Sequence, residues 1–185
     1  MIPLMSGKTI GLYNDKKQFK TRRLWIAYHL IKGVAITVMN SEMIKMKEKK
    51  VVLASGAFDL LHWGHVRYLE EAKKYGDILI VAVSTDELLE SYKNIRPVFP
   101  FEDRFAIISA LNDVDIAVKQ ISLADISLMK SLKVDVFVTG EDWKGRNLPG
   151  YQWLEKTGKE IVYLPRTKGI STSIIRQKLS KMDVK

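Results

Sequence analysis

The chain has 185 residues, of which 46% are hydrophobic and none is cysteine, and its formal net charge is +9. This length and hydrophobic content fit one globular domain with an additional segment. The lack of cysteine excludes disulfides and thiol chemistry, and it agrees with a cytoplasmic location.

The positive charge is concentrated in the first fifty residues. Residues 1–50 contain 11 Lys or Arg against 3 Asp or Glu, a net charge of +8, whereas residues 51–185 contain 19 against 18, a net charge of +1. A nucleic-acid-binding domain usually carries its positive charge on the fold itself. We therefore divide the chain into a basic N-terminal extension, 1–50, and a nearly neutral domain, 51–185, and we expect no nucleic-acid partner.

The extension contains a mostly apolar stretch, residues 24–38, interrupted by His29, Lys32 and Gly33. A helix needs about 20 apolar residues to span a bilayer, so this stretch is too short and we expect no stable membrane insertion. Its basic lead also differs from a secretory signal. Three interpretations stay open: a helix packed on the domain, an interfacial membrane helix, or a segment outside the functional protein, whose start would then be Met46.

From residue 51 onward, short apolar runs alternate with helical stretches. Apolar strands without clean alternation indicate a sheet that is covered on both faces and therefore parallel. The pattern predicts an α/β fold: a doubly wound, Rossmann-like, five-stranded parallel sheet with helices on both faces. The predicted strands are Val51–Ala57, Ile78–Ser84, Ile116–Val118, Val134–Thr139 and Glu160–Leu164. The predicted helices are Gly64–Tyr75, Pro100–Leu111, Leu123–Leu132, Gly150–Lys156 and Ser171–Lys181.

The notable motifs all follow predicted strands. They are Gly56–His65, Ser84–Asp86, Gly140–Trp143 and Arg166–Ser173. Ligands of such sheets bind outside the carboxyl ends of the strands. The sequence therefore predicts that these four segments converge on one ligand site.

The segment Gly56–His65 places two histidines where the first strand gives way to a helix. A helix start offers unpaired N–H groups and a partial positive charge, which together suit a phosphate. His62 and His65 can add hydrogen bonds to a phosphate whose charge rearranges, and Gly64 lets the backbone approach it closely. A zinc site would need a third ligand, which is absent at a zinc-like spacing, so we predict no metal ligands in the protein.

A second phosphate signal lies at Arg166–Ser173. Gly169 permits a tight turn there, and Ser171 or Thr172 is expected to cap the helix that follows. Taken alone, the segment is typical of any capped helix. Because it also concentrates cations and hydroxyls at a helix start, we interpret it as a second phosphate site. Two such sites at one edge of a sheet fit a triphosphate better than a monophosphate.

These motifs resemble the nucleotidyltransferases that share an H-x-G-H signature, and among them the cytidylyltransferases, especially those acting on glycerol 3-phosphate. The resemblance is carried by Gly56–His65, Gly76–Glu87, Val136–Gly145 and Val162–Ser173. It implies transfer of CMP from CTP to a small phosphorylated alcohol, glycerol 3-phosphate or a related polyol or sugar phosphate, with release of pyrophosphate. It also implies Mg²⁺ bound mainly through the triphosphate, and a homodimer.

The resemblance further implies roles for individual residues. His62 and His65 would stabilise the reacting α-phosphate, Arg166 would hold the leaving pyrophosphate, and Lys93 would bridge the acceptor and CTP phosphates. Asp86 either orients the acceptor or caps a turn. The implied nucleotide-binding residues, besides the two histidines, are Ala57, Phe58, Gly64, Gly140, Asp142, Arg166, Thr167, Gly169, Ile170, Ser171 and Thr172.

Other basic and aromatic residues permit two interpretations. Lys93, Arg96 and Arg104 are predicted to lie in or beside a loop broken by two prolines, and such a loop either closes over phosphates or is simply solvated. Trp143 either stacks on a ligand or packs in the fold.

Departures from the glycerol-phosphate pattern keep the substrate open. Ala57 stands where the family often has Thr, and Asn112 and Asp125 stand where glycerol-phosphate members have cations. The stretch Arg96–Pro100 is similar to that of adenylyl-transferring heptose-phosphate enzymes. ATP-dependent transfer to a sugar phosphate is therefore one alternative, and a nucleotide-binding module without turnover is another.

Overall fold

A computed structural model of the protein describes residues 49–182. Apart from Lys49 and Lys50, the predicted N-terminal extension lies outside the described residues. The described part contains one sheet of five parallel strands in the order β3-β2-β1-β4-β5, which confirms the predicted Rossmann-like α/β fold. The strands are β1 (Val51–Gly56), β2 (Ile78–Ser84), β3 (Ile116–Gln120), β4 (Val136–Gly140) and β5 (Glu160–Leu164).

Helices connect successive strands. A short 3-10 helix, Glu141–Trp143, directly follows β4. Within residues 49–182, no helix is long and apolar enough to cross a membrane. The α-helices of this part are α1 (Trp63–Lys73), α2 (Asp86–Lys93), α3 (Phe101–Ser109), α4 (Ile126–Ser131), α5 (Pro149–Lys156) and α6 (Thr172–Met182).

The central strand β1 determines where the ligand crevice lies. It pairs with β2 on one side, where Val52 is opposite Leu79, and with β4 on the other, where Val52 is opposite Val136. The chain first adds strands on the β2 side and then crosses to the β4 side, so the strand order reverses at β1. Connections that leave β1 and β4 in opposite directions open a crevice between them.

Both faces of the sheet are covered by helices, as predicted. On one face, Val52 belongs to a buried cluster that includes Leu69 of α1 and Ile108 of α3. On the other face, Leu53 belongs to a cluster that includes Met129 of α4 and Leu154 of α5. Successive residues of β1 thus point to opposite cores, because side chains alternate along a strand.

Helix α2 was not predicted; the sequence analysis placed Lys93 in or beside a loop, and the structure places it directly before one. Thr85 caps the helix, its hydroxyl accepting a hydrogen bond from the Leu88 N–H at 3.2 Å. Asn94 ends it in the left-handed conformation, with φ of 52°. The helix has only eight residues, of which Leu88 and Leu89 are buried, so the sequence offers few positions from which to recognise it. Lys93 is therefore the last residue of a helix.

Candidate active site

A cleft of about 430 Å³ opens beyond the carboxyl ends of β1 and β4. Three of the four segments predicted to converge line it, namely Gly56–His65, Gly140–Trp143 and Arg166–Ser173, whereas no residue of Ser84–Asp86 does. Of the predicted site residues, Gly169 and Asp86 do not line it. Those that do are Ala57, Phe58, His62, Gly64, His65, Lys93, Gly140, Asp142, Arg166, Thr167, Ile170, Ser171 and Thr172.

The two histidines of the motif form a stacked pair at the start of α1. Their ring centroids are 3.9 Å apart, with an angle of 18° between the planes. His62 caps the helix, because its Nδ1 accepts a hydrogen bond from the Gly64 N–H at 3.1 Å. A Cβ at Gly64 would lie 3.0 Å from the His62 ring, so this position favours glycine. Since Nδ1 is the acceptor, neutral His62 carries its proton on Nε2.

Burial keeps His65 uncharged. Desolvation and the neighbouring His62 lower its pKa to about 3, although Asp59 acts in the opposite direction. The ring lies edge-on to Phe58, with centroids 5.5 Å apart, and its Nδ1 is buried without a hydrogen-bond partner among the described residues. Desolvation also lowers the pKa of His62. Near neutral pH each neutral imidazole therefore has one N–H group to donate to an anion and one nitrogen that can accept a proton.

The loop between β1 and the histidines contains left-handed backbone at two side-chain-bearing residues. Phe58 has φ of 54° and Leu60 has φ of 48°. Such conformations are costly for residues with a Cβ and persist where surrounding contacts fix them. Asp59, which lies between them, is only 5% exposed. The loop is thus held in a defined shape rather than left free at the mouth of the cleft.

Asp59 supplies the contacts that fix this loop. Its carboxylate accepts hydrogen bonds from the backbone N–H groups of Val98 and Phe99, both at 3.0 Å, and from the Arg176 guanidinium at 2.8 Å. Burial alone would raise the pKa of Asp59, but these hydrogen bonds hold it below its ordinary value. Sequence reasoning missed both Asp59 and Arg176, since no local pattern connects them.

Helix α6 begins at the edge of the cleft. Ser171 caps it by accepting a hydrogen bond from the Ile174 N–H at 3.2 Å. The Thr172 hydroxyl donates to the Asp59 carbonyl at 2.9 Å and so fastens the helix start to the histidine loop. Gly169, in the preceding turn, has φ of 80°, which confirms the tight turn predicted there. Ser171, Thr172 and Ser173 line the same cleft as the histidines, so this helix start is placed to bind an anion there.

Two predicted nucleotide-binding residues bind each other. The Arg166 guanidinium donates to the Asp142 carboxylate at 2.7 Å. Burial acts to raise the pKa of Asp142, but the hydrogen bond and charge of Arg166 lower it overall. Both side chains are well exposed to solvent. Because exposed ion pairs are worth little, this one can rearrange when a phosphate arrives.

A second, smaller cavity of about 60 Å³ adjoins the cleft. Lys93 and Trp143 line both cavities and therefore lie at their junction. Desolvation lowers the pKa of the Lys93 ammonium group. Trp143 packs in the fold, with its ring 5.8 Å from Tyr92 and 4.6 Å from the guanidinium of Arg146.

Buried polar side chains line the smaller cavity; sequence reasoning singled out the segment that contains Ser84 but missed Gln120 and Thr139. The Ser84 hydroxyl donates to the Gln120 side-chain oxygen at 2.9 Å, and Tyr92 hydrogen-bonds to Ser84. Thr139 hydrogen-bonds to Tyr151. Gln120 and Thr139 are buried in strands β3 and β4, where a sequence pattern gives no reason to expect polar groups.

Arg104 is fully buried, which contradicts its predicted place in or beside a cationic loop. Its guanidinium donates to the carbonyls of Ala57 and Phe99 and pairs with Asp86 at 2.6 Å. The second Asp86 oxygen accepts from the Phe101 N–H at 3.3 Å. Asp86 therefore helps to hold Arg104, which bonds to the Ala57 carbonyl at the cleft. A contact between Asp86 and the acceptor stays a prediction.

The stacked imidazoles and the capped start of α6 lie where the strand order of a doubly wound sheet reverses. Such a site is typical of proteins that bind nucleotides and transfer phosphate groups. The family model described as cytidylyltransferase-like matches residues 53–178. The chain therefore belongs to the cytidylyltransferase-like family of nucleotidyltransferases.

Individual relatives come from two groups. The chain is 39% identical over 132 residues to the glycerol-3-phosphate cytidylyltransferase of Bacillus subtilis (strain 168), covering 71% of this chain and 98% of that protein. It is 41% identical over 132 residues to the bifunctional protein HldE of Aeromonas hydrophila, covering 71% of this chain but only 28% of that protein.

A solved structure has the same fold. It is the crystal structure of the lipopolysaccharide core biosynthesis protein from Thermoplasma volcanium GSS1. The two proteins are 32% identical and superimpose with a TM-score of 0.55, which covers 66% of this chain and 99% of the other.

Proposed function

We propose that the protein transfers CMP from CTP to a small phosphorylated alcohol, with glycerol 3-phosphate as the expected acceptor, and releases pyrophosphate. The observation that carries the proposal is the position of Lys93 at the junction of two cavities, one lined by both histidines and Arg166. A cation at that junction can contact the phosphate of the donor and that of the acceptor together. The full-length match to a glycerol-3-phosphate cytidylyltransferase supports CTP as the donor.

The reaction is a single in-line displacement. An oxygen of the acceptor phosphate forms a bond to the α-phosphorus of CTP, and the bond from that phosphorus to the β-phosphate oxygen breaks. Pyrophosphate leaves with the bonding electrons, and no enzyme nucleophile takes part. Catalysis of this kind consists of positioning and stabilisation of charge.

Each group in the cleft has a part in this step. His62 and His65 donate hydrogen bonds to the α-phosphate as negative charge gathers on its oxygens. Arg166 and the N–H groups at the start of α6 hold the β- and γ-phosphates as pyrophosphate leaves. Lys93 brings the acceptor phosphate, which would otherwise be repelled, against the donor.

Mg²⁺ is proposed as an ion that arrives with the triphosphate. The cleft carboxylates of Asp59 and Asp142 are each paired with an arginine. Across residues 49–182 there is no group of three or more His, Asp or Glu that could hold a metal ion. This donor set fits an ion held chiefly by phosphate oxygens, whose charge it would partly neutralise.

The size of the smaller cavity supports a small acceptor. Its volume of about 60 Å³ gives room for roughly four water-sized groups. This space favours a small alcohol over a seven-carbon sugar. The similarity to HldE proteins favours the alternative, transfer of AMP from ATP to a sugar phosphate. The homodimer and the cytoplasmic location stay predictions.

CTP labelled on its α-phosphate tests the proposal. With Mg²⁺ and glycerol 3-phosphate, we expect the label in CDP-glycerol, none on the protein, and unlabelled pyrophosphate in equal amount. Label recovered only as CMP would indicate hydrolysis, and label retained on the protein would contradict direct transfer.

A further inference from the structure

One arginine of α6 contacts two other segments of the cleft wall. Arg176 lies four residues after the start of the helix, and its Nη2 donates to the Asp59 carboxylate at 2.8 Å and to the Arg96 carbonyl at 3.0 Å. Asp59 belongs to the histidine loop and Arg96 to the loop between α2 and α3. A single side chain therefore joins three segments that are distant in sequence.

The same carboxylate holds the loop between α2 and α3, residues 94–100. The backbone N–H groups of Val98 and Phe99 both donate to Asp59. This loop directly follows Lys93, the last residue of α2. The placement of the lysine at the junction of the cavities thus depends on a loop whose anchor is Asp59.

We propose that Arg176 is a positioning residue that keeps the Asp59 carboxylate in place, and through it the Lys93 end of α2. The inference rests on the proposed function. It assigns α6 two tasks: its first turn faces the triphosphate, and Arg176, one turn later, fixes the acceptor side of the cleft. The Arg176–Asp59 ion pair thus keeps the triphosphate side and the acceptor side of the cleft at a constant distance from each other.

Burial explains why the arginine matters. Asp59 is 5% exposed, so its charge has little water to stabilise it. Without Arg176, the donors left to the carboxylate among residues 49–182 are the backbone N–H groups of Val98 and Phe99. Loss of a hydrogen bond to a charged group should shift the equilibrium between the bound and released states of the loop by about tenfold or more. The start of α6 also keeps two hydrogen bonds that do not involve the Arg176 guanidinium: the Ser171 cap, and the bond from the Thr172 hydroxyl to the backbone carbonyl of Asp59.

The test compares Arg176→Gln and Arg176→Lys with a matched control, Lys178→Gln, which removes an exposed charge two residues along the same helix. Hydrogen exchange of the Val98 and Phe99 amides in the full chain measures the loop directly. We expect faster exchange by about tenfold in Arg176→Gln, an intermediate change in Arg176→Lys and none in the control. Equal exchange in Arg176→Gln and the control would overturn the proposal.

Kinetics supply the second readout. We expect Arg176→Gln to lower kcat by about tenfold and to raise the KM for the acceptor, while the Kd for CTP changes by less than about threefold. Partial rescue by Arg176→Lys would support the ion pair, and faster exchange with unchanged kcat would overturn its link to catalysis. If Arg176→Gln does not fold, the lysine variant carries both measurements. If the wild-type protein turns over no CTP, the proposed function fails, and exchange alone then supports or overturns the positioning role.

Discussion

The imidazole of His65 lies stacked on that of His62, 3.9 Å away, and its Nδ1 is buried. Two imidazoles this close cannot both be protonated at low cost, and desolvation strengthens that restriction. Both rings are therefore neutral in the ligand-free protein near neutral pH. A triphosphate would bring the negative charge that stabilises a proton on either ring.

Replacement of His65 by Ala should lower turnover by about a hundredfold or more, because a donor to the developing charge on the α-phosphate is removed. The measurement is pyrophosphate release under saturating CTP and acceptor. Arg67→Ala, an exposed residue of the same helix, is the control and should retain activity. Near-normal turnover in His65→Ala would refute its catalytic role.

The low pKa of His65 also affects stability. The ordinary pKa of 6.5 applies to the unfolded chain, whereas the folded value is about 3. Between these values the unfolded state binds the extra proton, so stability falls as pH decreases, by up to ~1.4 kcal/mol per pH unit.

Denaturant unfolding as a function of pH checks this prediction. His65→Gln should show a shallower loss of stability below about pH 6.5. An NMR titration of the ligand-free protein should find His65 neutral at pH 5, and CTP should raise its pKa. If the free energy of unfolding depends on pH with the same slope in the wild type and in His65→Gln, the low pKa assigned to His65 is contradicted.

Arg104 should be important for stability because it is fully buried and bonded on three sides. Replacement by Met breaks the ion pair with Asp86 and should lower the free energy of unfolding by about 3 kcal/mol. Chemical denaturation provides the measurement, with the exposed Asp103→Asn as the control. Adding Asp86→Asn should restore part of the loss, and no restoration would argue against the pair.

The smaller cavity predicts a selective effect on the acceptor. Ser84→Ala removes the hydroxyl between Tyr92 and Gln120, so the amide of Gln120 loses its fixed orientation. We expect the KM for the acceptor to rise by about tenfold, with little change in the KM for CTP. Ser91→Ala, which removes a hydroxyl from the exposed side of α2, should change neither constant. Equal effects on both substrates would place the acceptor elsewhere.

The sequence was sufficient to predict the elements whose signals are local. The bounds of β2 and β5 agree with the structure, and β3 extends two residues beyond its predicted end. Helix α4 begins later than predicted, because Asp125 caps it by accepting from the Leu128 N–H at 3.0 Å. The histidines and Arg166 were brought to one cleft because motifs that follow parallel strands meet at one edge of the sheet.

Contacts between segments that are distant in sequence could not be predicted from local sequence patterns. Arg176 and Asp59 are 117 residues apart in sequence, and Arg104 and Ala57 are 47 apart. The burial of Arg104 and of the Ser84–Gln120 pair depends on residues that are distant in sequence. The spacing of apolar residues along the chain therefore does not predict it. Helix α2 was missed for a related reason, since its stability depends on packing rather than length.

Donor and acceptor identity are tested most directly by pyrophosphate release with Mg²⁺, in which CTP and ATP are each combined with glycerol 3-phosphate and with a heptose phosphate. We predict rapid release with CTP and glycerol 3-phosphate and little in the other three reactions. Release only with ATP and the heptose phosphate would contradict the account and assign the protein to the adenylyl-transferring alternative.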